Sequence, residues 1–141
     1  MARYSKPEDF EAGLAVVSPL FESKGYTLKM AEPIWDKEGC FCSATFSKDT
    51  RSVELRHLYS LGPVRYRIGG YALEHLPYLE ALGVASNAEY PTFEDNSHAG
   101  YPALLHDLQN LLSPFFDGPE QDFIELAARP KKHRPRGIRA V

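Results

Sequence analysis

Three stretches of two-residue alternation between positions 40 and 68 constrain this chain more than any other feature. In the first, Cys40, Cys42, Ala44 and Phe46 point one way and Phe41, Ser43, Thr45 and Ser47 the other. In the second, Val53, Leu55, His57 and Tyr59 share a face, against Ser52, Glu54 and Arg56. In the third, Val64, Tyr66 and Ile68 stand against Arg65 and Arg67. Successive side chains of a strand point to opposite faces, so each stretch reads as a half-covered strand. The connections Ser47-Lys48-Asp49-Thr50 and Leu61-Gly62-Pro63 are too short for a crossover, which leaves sequential antiparallel neighbours. Tyr26, Leu28 and Met30, alternating with Thr27 and Lys29, add a strand in front, and Gly69-Gly70 closes the sheet. The expectation is an antiparallel meander of about four strands with one covered face. A turn centred between Leu61 and Gly62 sets Arg56 opposite Arg67. Like charges so placed cost stability unless an anionic partner, or acids such as Glu54, answer them.

Helical spacing supplies the cover. Over residues 5–24, Phe10, Leu14, Val17 and Phe21 form one stripe, with Ser5 and Glu8 as a capping box and Gly25 as the stop. Pro19 is expected to kink this helix, or to restart it behind Ser18. A short helix follows near Pro77 to Leu82, stopped by Gly83. A longer one carries Tyr101, Leu104, Leu105, Leu108, Leu111 and Leu112 on one side and His106, Asp107, Gln109 and Asn110 on the other, and Ser113-Pro114 ends it. Asp117-Gly118-Pro119 opens a last short helix through Phe123 and Leu126. The pattern predicts an α+β domain, with the N-terminal and C-terminal helices packed on one sheet face.

The whole of 1–128 reads as one domain of ordinary size. It holds ten Lys and Arg against all 19 Asp and Glu, whereas 129–141 holds six Lys and Arg and no acid. The body is therefore acidic and the tail basic. The tail has no apolar periodicity and is expected to be disordered. No apolar run follows the first charges and none is long enough to span a bilayer, so the expected location is cytoplasmic, without a membrane partner.

Few residues suggest chemistry. Cys40 and Cys42 share a strand face with the apolar side of His57, but structural zinc wants four ligands, usually with C-x2-4-C spacing. A disulfide across so short a loop would be strained. Two reduced core thiols, with no metal and no cofactor, are the expectation. His57 reads either as a core histidine bonded to Tyr66 or a backbone carbonyl, or as a buried base. The long connection over 84–98 carries Glu89, Tyr90, Phe93, Glu94, Asp95 and His98. Glu94, Asp95 and His98 could handle a proton there, while Tyr90-Pro91 and Phe93 could simply pin the loop to the core. His106 and Asp107 adjoin on a helix and do not face each other, which removes them as a pair. His75, beside Glu74, is assigned no chemistry, and Gly69-Gly70 lacks the spacing of a phosphate loop.

The catalytic candidates are thus His57, Glu94, Asp95 and His98. The binding candidates are Arg56, Arg65 and Arg67 on the sheet, and Lys131, Lys132, Arg134 and Arg136 on the tail. The ranking of functions follows. A non-enzymatic protein-interaction module comes first, an immunity- or antitoxin-like binding role by analogy only, because an acidic surface steers a basic protein partner. A small enzyme using a His/carboxylate site in 84–98 is the first alternative. A nucleic-acid-associated protein acting through the basic tail, with salt-sensitive binding, is the second.

Overall fold

The first helix, α1 (Pro7–Ser23), buries Phe10, Leu14, Val17 and Phe21, the stripe that the spacing predicts. The computed structural model describes residues 7–37, 39–58, 60–91 and 99–129. α1 continues through Pro19 and does not restart there. Gly25, at φ 87°, takes the left-handed stop.

Seven strands follow: β1 (Thr27–Met30), β2 (Ile34–Asp36), β3 (Gly39–Lys48), β4 (Arg51–Leu58), β5 (Ser60–Leu61), β6 (Arg65–Ile68) and β7 (Tyr71–Glu74). They run in the order β1-β3-β4-β6-β7, with β2 on one end of β3 and β5 on one end of β4. Every pairing is antiparallel and the sheet is open. The expected meander is present, but it has more than four strands. Gly69-Gly70 does not close the sheet. Ile68 pairs with Tyr71 across the doublet, so the glycines form a two-residue hairpin turn that returns the chain as β7.

The hairpin of β4 also differs from expectation. Leu58 pairs with Ser60, so the chain reverses before Leu61-Gly62. Beyond Leu61, residues 62–64 stand opposite only 55 and 56, a local bulge. The resulting register sets Arg67 across from Ser52 and Arg65 across from Glu54. Arg56 stands across from Ser43, not Arg67, and the predicted like-charge pair does not exist.

Four more α-helices complete the fold among the described residues. After β7 come α2 (His75–Leu82), stopped by Gly83 at φ 80°, and a 3-10 turn (Ala85–Asn87). Then come α3 (Gly100–Asn110), α4 (Ser113–Asp117) and α5 (Glu120–Ala128). α3 ends at Asn110, ahead of the expected Ser113-Pro114 stop, and Ser113-Pro114 begins α4, because proline is tolerated where a helix N–H has no partner. Arg51 of β4 holds this end of the molecule, donating to the carbonyls of Phe116 (3.1 Å) and Gly118 (2.8 Å).

The buried faces of β3, β4 and β6 meet the helices in one aromatic-rich core. Phe21 stacks on Phe46 with ring centres 4.0 Å apart, and Tyr66, Tyr78, Phe115 and Phe123 meet edge to face. Burial of each such ring stabilises the fold by about 1.5–3 kcal/mol. α1 and α3 approach closely at Gly13, where an added Cβ would stand 2.3 Å from the Tyr101 ring. Among the described residues no helix is long and apolar enough to cross a membrane.

Candidate functional site

The polar groups that the fold brings together are not those the sequence singles out. Tyr66 lies on the buried face of β6, His75 is the first residue of α2, and Asp107 lies on the inner side of α3. All three are essentially sealed from solvent. Tyr66 OH lies 2.7 Å from His75 Nδ1, and His75 Nε2 lies 2.8 Å from Asp107 Oδ2. Three further donors converge on Asp107: Glu89 N–H (2.8 Å), Tyr90 N–H (3.0 Å) and His106 Nδ1 (2.8 Å).

Burial alone would push the Asp107 carboxyl up, but the hydrogen bonds from His75, Glu89, His106 and Tyr90 outweigh it and hold it below the usual carboxylate range. Burial, reinforced by the Asp107 charge, raises the Tyr66 phenol well above its ordinary value. With Asp107 ionised, His75 donates through Nε2 to Oδ2, and its Nδ1 is bonded to the Tyr66 hydroxyl. The Tyr66 hydroxyl, both His75 ring nitrogens and both Asp107 oxygens are thereby hydrogen-bonded inside the protein. The network ties β6, α2, α3 and the start of the long connection together. A depression of about 260 Å3 opens beside it, lined in part by Val64, His75, Leu76, Tyr90 and Pro91.

His106 and Asp107 therefore do meet, contrary to the helical-neighbour expectation. The Asp107 carboxylate turns inward but leaves Oδ1 at the rim, where the neighbouring imidazole folds over it. Tyr90 pins the loop as expected: it is buried, and its OH reaches the carbonyls of Leu61 (3.0 Å) and Gly62.

The sequence candidates are placed as follows. His57 is fully buried on the core face of β4 and its Nδ1 is bonded to Tyr101 OH at 2.6 Å. Its partner is not Tyr66, which is committed to His75. Arg56, Arg65 and Arg67 project from the outer sheet face. Arg65 meets Glu74 (3.2 Å), while Arg56 (3.9 Å) and Arg67 (3.8 Å) flank Glu54. Ser5, Tyr59, Phe93, Glu94, Asp95, His98, Lys131, Lys132, Arg134 and Arg136 lie outside the described residues.

A second feature is a surface rather than a polar cluster. β1 and β2 form the free edge beside β3, and no residue of either is buried. Trp35 is 64% and Ile34 61% exposed, and Leu28 and Met30 add to them. The Ala31 N–H reaches Ser43 O. In the antiparallel pattern this turns the backbone of Thr27 and Lys29 toward β3 and that of Leu28 and Met30 outward. The outward groups are a ready template for another strand.

Comparison of the chain with protein-family models, curated proteins and solved structures finds no match.

Proposed function

We propose that this protein is a non-enzymatic protein-interaction module whose docking surface is the β1–β2 edge. One observation carries the reading: the chain's single tryptophan stands 64% exposed beside Ile34 on β2, along the same side of β3 as β1, whose Leu28 and Met30 backbone groups face outward. Tryptophan anchors binding energy at interfaces far more often than it decorates bare surface, and strand addition to a free edge is a recurring recognition mode. The internal use of the Tyr66–His75–Asp107 protons supports a structural role for that network. The sharing of Arg56, Arg65 and Arg67 with Glu54 and Glu74 leaves the outer face less suited to an anion. The excess of carboxylates over the body suits a basic protein partner.

The test is co-purification from a native lysate with the full chain, an Ile34→Ser/Trp35→Ser variant and an Arg56→Gln/Arg67→Gln variant. A stoichiometric protein is expected with the full chain and the arginine variant and not with the edge variant. Thermal stability should stay within about 0.5 kcal/mol, because both sites are exposed. Equal retention by the edge variant rejects this surface. Nucleic acid released by salt, and lost with the arginines, would instead favour the nucleic-acid reading.

A further inference from the structure

Cys40 and Cys42 point to the core side of β3 with their Sγ atoms 3.0 Å apart. That is closer than the roughly 3.5–4.0 Å at which even non-bonded carbons rest. Both thiols are free. A disulfide is a poor explanation, because same-face residues of a strand lie about 6.6 Å apart, near the limit that a disulfide spans, with parallel Cβ vectors. Joining them would require the strand to buckle. Holding one ion between two sulfurs requires only side-chain rotation.

The surroundings favour an ion. Cys42 forms part of the wall of a pocket of about 310 Å3 between α1 and the sheet edge. Met30, Glu11 and Glu32 line the same pocket. Met30 lies on the same face as Cys42, pairing with Ala44 one step along β3, and is 44% exposed. Its flexible thioether is a second sulfur in the pocket beside Cys42, with the Cys40 sulfur 3.0 Å behind Cys42, and the two exposed carboxylates make the approach negative. Among the described residues no group of three His, Cys, Asp or Glu side chains could hold a metal. That argues against a four-ligand zinc site and against hard cations, which require clustered oxygens. Thiolate and thioether donors select a soft ion.

We propose that Cys40 and Cys42, with Met30 as third donor, form a Cu(I) site entered through this pocket. Binding replaces two thiol protons with one monovalent cation, and the protons pass to solvent; no electron is transferred. Uptake is weaker at lower pH, where protons compete for both sulfurs. The site is independent of the docking edge, apart from sharing Met30.

The experiment is an anaerobic titration of the full chain with Cu(I) supplied as its bicinchoninate complex, following loss of the chelator's colour. One ion per chain is expected to transfer, with ultraviolet thiolate-to-copper absorption appearing in step. Cys40→Ala and Cys42→Ala should each abolish the transfer. Met30→Leu should weaken it about ten-fold while circular dichroism is unchanged. In the unaltered chain, bound Cu(I) should slow N-ethylmaleimide labelling of both thiols, which keeps the test readable should a cysteine variant fail to fold. Retention of all the copper by the chelator, or equal uptake by the Cys40→Ala/Cys42→Ala variant, overturns the site. Full-strength uptake by Met30→Leu removes the third donor.

Discussion

Replacing Asp107 by asparagine tests whether the buried network holds this fold together. Each carboxylate oxygen accepts two hydrogen bonds, Oδ1 from Glu89 N–H and His106 and Oδ2 from His75 and Tyr90 N–H. An asparagine keeps one oxygen, and its amide nitrogen faces two donors with nothing to accept. If the oxygen stays toward His75 and Tyr90, the Glu89 N–H loses its partner and His106, a third exposed, turns to water. Stranding a buried donor costs about 1–3 kcal/mol, and the surviving bonds lose their charge assistance. The expected loss is about 2–4 kcal/mol for Asp107→Asn, and about 3–5 kcal/mol for Asp107→Ala, which strands all the donors. Urea denaturation at pH 7 should show it as a midpoint lower by about 1–2 M, given slopes of about 1–3 kcal/mol/M for small domains. The pH dependence has a fixed sign. The folded carboxyl lies below its unfolded value, so its stabilisation is complete above about pH 4 and is withdrawn as the pH falls through the lower folded value. Asp107→Asn should lack that acid-side component. A midpoint shift within error at pH 7, together with an unchanged acid limb, would refute the reasoning.

Two more predictions concern how the layers are held. Gly13→Ala sets a Cβ 2.3–2.5 Å from Tyr101 ring carbons, so α1 and α3 must separate or the ring must leave His57; a loss of about 1–3 kcal/mol is expected, and an unchanged melting temperature would contradict the close approach. Arg51→Met removes both guanidinium bonds to the carbonyls of Phe116 and Gly118 and should cost about 2–3 kcal/mol. Amide exchange should quicken first in α4 and α5, and uniform acceleration over the whole chain would show that the contact is not a local clamp.

Alternation made the sheet legible wherever one face is buried. Cys40 to Phe46 and Val53 to His57 point inward as their spacing requires, because burial enforces a period of two. β1 is fully exposed and β2 has three residues, so neither carries that constraint; the alternation of Leu28 and Met30 still marked β1, while β2 left no pattern to read. The Arg56–Arg67 pairing failed for a different reason. The chain reverses between Leu58 and Ser60, before Leu61-Gly62-Pro63, and that earlier reversal, together with the one-residue bulge beyond it, sets Arg67 across from Ser52; local composition at Leu61-Gly62-Pro63 marks a turn as well as it marks a bulge. Gly69-Gly70 is similar: a glycine doublet ends a strand in either case, and only the pairing of Tyr71–Glu74 with β6 distinguishes a hairpin from an exit.

The buried network shows where a sequence pattern stops being informative. Asp107, expected on the polar side of the helix, is fully buried; it lies three residues after Leu104 and four before Leu111, on the flank of the apolar stripe. That spacing is a readable signal, and a carboxylate there must either be answered or destabilise the helix packing. Three of its four partners, however, are remote in sequence: His75 lies 32 residues away, and the Glu89 and Tyr90 amides 18 and 17, while His106 adjoins it. Two of the four are backbone groups and carry no residue signature at all. A buried acid on a helical stripe can thus be flagged from spacing, but its partners follow only from topology. Here β7 delivers His75 to the start of α2, and the loop carrying Tyr90 folds back onto α3. The network also differs in kind from the β1–β2 edge. A satisfied buried charge fixes how elements meet, whereas Trp35 and Ile34 pair with β3 through the backbone and leave their side chains exposed.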